Sequence, residues 1–136
     1  MNKITSIEHA QQVLGTSIDF NKYPDALRSC GTPEKDILPQ QFNYEIWLIT
    51  EANNKLNNWK VESGNPNQIK YSIWAPDIIK NPFRPAGLGL AFYGARGWRT
   101  RTICGARLEV GSREEARYIF EDFIEKWDFA WLIQEE

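Results

Sequence analysis

One histidine, two cysteines, several paired carboxylates and a run of arginines among aromatic residues are the side chains here whose types and spacing could do chemistry. His9 is the only histidine, so a Ser-His-Asp or Cys-His device would have to use it as the base. It stands alone near the start of a helix, and the reading its context supports is a capping or packing role. Cys30 and Cys104 are too far apart for a paired zinc ligand set, and one histidine cannot complete one. Gly87-Leu88-Gly89 with Gly94 lacks the GxGxxG and GK[ST] patterns of a phosphate-cradling loop. Glu114-Glu115 and Glu121-Asp122 fall on a helix as its solvated face and N-terminal charge complement, with no second element to position a substrate. No catalytic residue, cofactor site or metal site is expected.

The arginines are different. From Ile78 to Leu108 the chain has six basic residues and no acidic one, interleaved with Phe83, Phe92, Tyr93 and Trp98. From Glu109 to Glu136 it has nine acidic residues against three basic ones. Tyr93, Arg96, Trp98, Arg99 and Arg101 are therefore the candidate partner-binding residues. In a regular strand, even spacing puts Arg99 and Arg101 on one face. Three readings are open to them. They can pair with the acidic C-terminal helix, meet phosphates while an aromatic ring stacks on bases, or dock an acidic protein partner.

These side chains must be positioned by a small fold. A chain of 136 residues is expected to form a single domain, 1–136, with its own core. Its 42% hydrophobic and 25% charged residues argue against disorder. A net charge of −2 removes any global signature of nucleic-acid or membrane binding. No apolar run approaches the roughly 20 residues a membrane span needs, and Met1 to Thr5 lacks the apolar core of a secretory signal. Two cysteines make no disulfide framework, so the expected setting is the cytoplasm.

Thr5-Ser6-Ile7-Glu8 has capping-box spacing, with Thr5 as the cap, and predicts a short helix closed by Gly15. Thr16 to Pro39 is expected to be irregular, since Pro24, Gly31 and Pro33 interrupt any period. Phe42, Ile46, Ile49, Ala52 and Leu56 then predict a helix from Pro39 to Leu56, ended by Asn57-Asn58. Lys70 to Ala75 and Gly87 to Tyr93 read as strands, with a proline-rich loop between them. Gly94 to Gly97 reads as a turn, and Trp98 to Val110 as a third extended stretch. Ser112 and Glu115 form the clearest capping box, opening an amphipathic helix whose stripe runs Ala116, Ile119, Phe120, Phe123, Ile124 and Trp127. The fold class is α+β, a small antiparallel sheet of about three strands covered by the C-terminal helix, with two N-terminal helices.

Several short pieces, taken in order, carry a resemblance: His9-Ala10 with Val13-Leu14-Gly15, Leu56-Asn57-Asn58-Trp59, Lys70-Tyr71 with Trp74, Gly87-Leu88-Gly89 with Phe92-Tyr93, and Gly105-Ala106-Arg107-Leu108 with Ser112-Arg113-Glu114 and Ala116-Arg117-Tyr118. Through them the chain resembles a family of small uncharacterised proteins from phage and mobile-element regions of Bacteroidetes-type genomes. The resemblance implies a phage-associated origin and a compact α+β fold, and no reaction. The expected function is non-enzymatic: a protein-binding module, acting on an unknown protein or on itself, with a nucleic-acid accessory role as the alternative and no membrane partner.

Overall fold

In the computed structural model, residues 1–62, 65, 67–74, 79–80, 88–89, 94–98 and 109–124 are described, with 72–74, 79–80, 88–89 and 94–98 given by their backbone. The fold is mixed α+β. Helix α1 is Ile7–Leu14, α2 is Tyr23–Ser29 and α3 is Glu34–Leu56. Strands β1 (Lys70–Trp74), β2 (Ile79–Lys80), β3 (Leu88–Gly89), β4 (Gly94–Trp98) and β5 (Glu109–Val110) follow, then α4 (Arg113–Ile119), which runs into a π-helical turn over Phe120–Ile124.

Three helices precede the first strand, not the two expected. Pro24 does not break α2 but sits in its first turn, where a missing N–H costs nothing. α2 buries no residue of its own. An aromatic cluster ties it down instead: Tyr23 stacks on Tyr44 of α3 at 5.7 Å, and Phe20 leans on both. Gly31, at φ 92°, turns the chain out of α2 in a conformation that favours glycine. α3 then begins at Glu34 rather than Pro39, so Pro39 lies inside it. The buried side chain of Ile37 and the pairing of Glu34 with Arg28 outweigh the hydrogen bond that Pro39 removes. Glu34 and Asp36 also complement the positive end of the helix.

The cap of α1 is Ser6, not Thr5. Its hydroxyl accepts from the His9 N–H at 3.0 Å, and His9 Nδ1 reaches back to accept from the Thr5 N–H at 3.1 Å. The imidazole thus reaches back one residue further than the glutamate of a standard capping box, which accepts from the cap residue's own N–H. The expected box at α4 is present: Ser112 accepts from the Glu115 N–H at 3.2 Å and donates its hydroxyl proton to Glu115 Oε2 at 2.7 Å. The π turn keeps Ile119 and Ile124, five residues apart, both buried.

β1 pairs antiparallel with β4 on one side and β5 on the other, and β2 pairs with β3. Gly94 to Gly97, expected as a turn, is therefore strand. Ile79–Lys80 is likewise a short strand inside the expected loop. The expected strand from Gly87 is described only at Leu88–Gly89, and most of 98–110 lies outside the described residues, as does Trp127. The core joins Ile4, Ala10, Phe42, Ile46, Ile49 and Ala52 to Val110, Ala116, Ile119, Phe120 and Ile124.

One buried polar cluster locks these pieces together. Asn53 of α3 is fully buried. Its Nδ2 donates to Glu115 Oε1 at 3.1 Å and to Asn54 Oδ1 at 3.3 Å. Its Oδ1 accepts from Asn57 Nδ2 at 3.1 Å and from a short bond with the Tyr118 hydroxyl. Tyr118 in turn accepts from the buried Ile4 N–H at 3.2 Å. Burial, first of all, pushes the phenol up to about 12, so the proton it donates to Asn53 stays in place at neutral pH. Asn54 donates to the Glu109 carbonyl at 2.8 Å, and Asn57 holds the Asn2 backbone by both its N–H and its C=O at 2.9 Å. Tyr118→Phe keeps the ring but strands the Ile4 N–H and one acceptor site of Asn53. The expected cost is about 1–3 kcal/mol, read as a lower midpoint in chemical or thermal unfolding, with little change in far-UV dichroism.

Candidate functional site

Of the five candidate partner-binding residues, two fall within the described chain. Arg96 and Trp98 lie on β4; Tyr93, Arg99 and Arg101 lie outside the described residues. β4 stands at the end of the order β4-β1-β5, paired with β1 among the described residues. Register sets Arg96 opposite Ser72 and Trp98 opposite Lys70. Ser72 is opposite Glu109 on its other side, so Arg96, Ser72 and Glu109 form one row across three strands. At about 4.8 Å between neighbouring strands, the outer two backbones of that row are roughly 10 Å apart.

Strand alternation divides this sheet into two faces. Val110 is fully buried in the helical core, and Tyr71, directly opposite it, packs against the same core. Lys70 and Glu109 have the other parity, and each is only 1% exposed. A cationic and an anionic side chain are thus buried on the face turned away from the helices. Burial pushes the Glu109 carboxyl up, while the nearby Lys70 ammonium pulls the other way. Glu109 Oε1 has no hydrogen-bond partner among the described residues. Sequence reading counted Glu109 as the first residue of the acidic tail and missed this pair. The available signal was a charged residue at a strand position beside Val110, three residues ahead of a capping box.

The acidic helix is partly used elsewhere. Glu115 is turned inward to Ser112 and Asn53, and Glu121 is bridged by Arg117 at 2.9 Å from the preceding turn. Two of the four described acidic side chains from Glu114 to Asp122 are thereby engaged without the upstream arginines. His9 is occupied with capping. Cys30 is exposed, its thiol directed at the Leu27 carbonyl at 3.1 Å. No group of three or more His, Cys, Asp or Glu among the described residues could hold a metal ion. No described helix is long and apolar enough to cross a membrane.

A second surface feature is a groove of about 530 Å³ beside the C-terminal end of α3, with Glu51, Lys55, Asn58, Trp59 and Lys60 on its walls. The Trp59 ring also covers Gly111, where an added Cβ would meet the indole at 2.9 Å. Glycine at 111 is required for that close approach.

In comparisons with known proteins, no family model, no curated protein and no solved structure matched this chain.

The buried pair makes an asymmetric expectation for mutants. Lys70→Met leaves the Glu109 carboxylate buried against a neutral neighbour and should destabilise by about 3–5 kcal/mol at neutral pH. The double substitution Lys70→Met with Glu109→Leu removes both charges and should recover most of that loss in urea unfolding. Equal loss in the double and single variants would show that the two charges do not act on one another.

Proposed function

We propose that this chain is a non-enzymatic binding module that docks a protein partner along β4. The observation that carries this reading is the position of β4: an end strand that bears Arg96 and Trp98 and borders a row anchored at Glu109. An end strand offers main-chain groups for a further strand, and flanking arginines favour an acidic partner. Arginine and tryptophan are also the side chains most enriched at interface hot spots. Glu115 is engaged by Ser112 and Asn53 and Glu121 by Arg117, so these two carboxylates do not require the upstream arginines as partners. In this reading Tyr93, Arg99 and Arg101, which flank β4 in the sequence, are further candidates for the same contact. In this reading a small sheet of about three strands, backed by the C-terminal helix, is the rigid support. The resemblance adds a phage or mobile-element origin, and the cysteine content is in keeping with a cytoplasmic setting.

The alternative, a nucleic-acid accessory protein, has one observation of its own. Trp59 lines a groove whose walls also carry Lys55 and Lys60, a stacking platform beside two cations.

Selection of a random-peptide display library on the immobilised chain tests the first reading, with the variant Arg96→Glu, Trp98→Ala as counter-target. The expected outcome is enrichment of acidic, strand-forming peptides that bind the chain and not the variant. Failure to enrich any such peptide overturns it. Fluorescence anisotropy of labelled oligonucleotides across a salt series tests the second: binding that falls steeply with salt and is lost in Trp59→Ala favours the groove.

A further inference from the structure

The interface between α1 and α3 contains a carboxyl group in an unusual situation. Glu45 lies in the middle of α3 and is 9% exposed, and its Oε2 has no hydrogen-bond partner among the described residues. One turn earlier on the same face, Gln41 is equally buried, and its Oε1 is also without a partner among the described residues. Two acceptor oxygens are thus enclosed on successive turns with no described donor for either. α1 packs along α3 and brings a third carboxylate, that of Glu8, close enough to act on Glu45. An ionised Glu45 therefore meets burial and a like charge together.

Among the described residues, the titratable groups on neighbouring elements do not offset this. On α1 the other one is His9, bound through Nδ1 to Thr5. On α2, Tyr23 is stacked on Tyr44, while Arg28 is committed to Asp25 and Glu34 at 2.9 and 2.8 Å. β5 and α4 bring Glu109 and Glu115 to α3 at Asn54 and Asn53, about two turns beyond Glu45. Both are acidic.

We propose that Glu45 is a proton-operated latch on the α1–α3 interface: protonated, it lets α1 lie closed on α3, and on losing its proton to solvent it loosens α1. The proton changes an acceptor-only carboxylate into a neutral group that can also donate, which removes the charge from the buried site. Both ends of α1 are held independently. Asn57 and Tyr118 pin Asn2 and Ile4 before it, and Phe20 leans on Tyr44 of α3 after it. Loosening is thus a local opening between fixed points rather than unfolding of the chain.

Burial, with Glu8 adding to it, pushes the Glu45 carboxyl from its ordinary 4.5 up to about 7. The direction of the linkage follows. Below 4.5 the group is protonated in folded and unfolded chains alike, and contributes nothing. From there to about 7 the unfolded chain releases the proton while the folded chain keeps it, so stability falls as pH rises. Above about 7 the whole penalty is present.

The test is hydrogen–deuterium exchange of the intact chain between about pH 5.5 and about pH 8.5, rescaled for the intrinsic pH dependence of exchange. Amides of Ile7–Leu14 are compared with those of Arg113–Ile119 as an internal control. The expected result is a several-fold loss of α1 protection through neutral pH, with α4 unchanged. Glu45→Gln should keep α1 protected throughout, and its advantage in thermal midpoint over the unmodified chain should grow with pH. A flat response in the unmodified chain overturns the proposal. So does the same response in Glu45→Gln, which would place the titration elsewhere, at His9 for example. Carbon-detected NMR titration of the Glu45 carboxyl is the second check, and a midpoint at the ordinary glutamate value also overturns it.

Discussion

The side-chain amide of Asn53 is the point on which the other elements depend. A primary amide has two donors and a carbonyl with two acceptor positions, and inside a protein each must be satisfied. Asn53 satisfies all four with partners from separate parts of the chain: Glu115 and Tyr118 of α4, and Asn54 and Asn57 at the end of its own helix. Those partners reach further, to Ser112, to the Glu109 carbonyl and to the backbone of Asn2 and Ile4. The start of the chain, the end of α3, β5 and α4 are thereby set against each other by directional bonds. Hydrophobic burial drives the same elements together but has no preferred register. The polar cluster supplies one.

This arrangement explains how so short a sheet is held in place. β5 is two residues long, too short to be stable alone. It is held by Asn54 on one side and by the Ser112 cap just beyond it. β1 is paired to β5, and β4 to β1, so the order that reaches Arg96 begins at an asparagine on a helix. The buried Lys70 and Glu109 belong to the same chain of support. They place a charge pair under the sheet, where packing alone would favour apolar residues.

Much of this was legible in the residues, and the failures have physical causes. The stripe Ala116, Ile119, Phe120, Ile124 and the Ser112 box read correctly because periodicity and capping agree there. The face of α3 from Phe42 to Ala52 read correctly for the same reason. Proline misled twice. Pro24 and Pro39 were read as breaks or starts, but a helix tolerates proline in its first turn, and tertiary burial at Ile37 carries α3 across the second. Gly94 to Gly97 looked like a turn because glycine is common there, yet cross-strand pairing with β1 decides its conformation. Of the candidate surface, the strand position of Arg96 and Trp98 is now known. The Asn53 cluster was not legible at all: its hydrogen bonds join residues up to 114 positions apart, and asparagine carries no periodic signal.

The bond between Asn57 and Asn2 bears on how this sequence can drift. Asn57 grips the N–H and the C=O of residue 2 and touches nothing of its side chain in doing so. The recognition is blind to residue type, so nearly any amino acid at position 2 preserves it. Proline, with no N–H to give, is the exception. Variation is thus free at the captured end and forbidden at the capturing one, an inequality between two residues that share the same pair of hydrogen bonds.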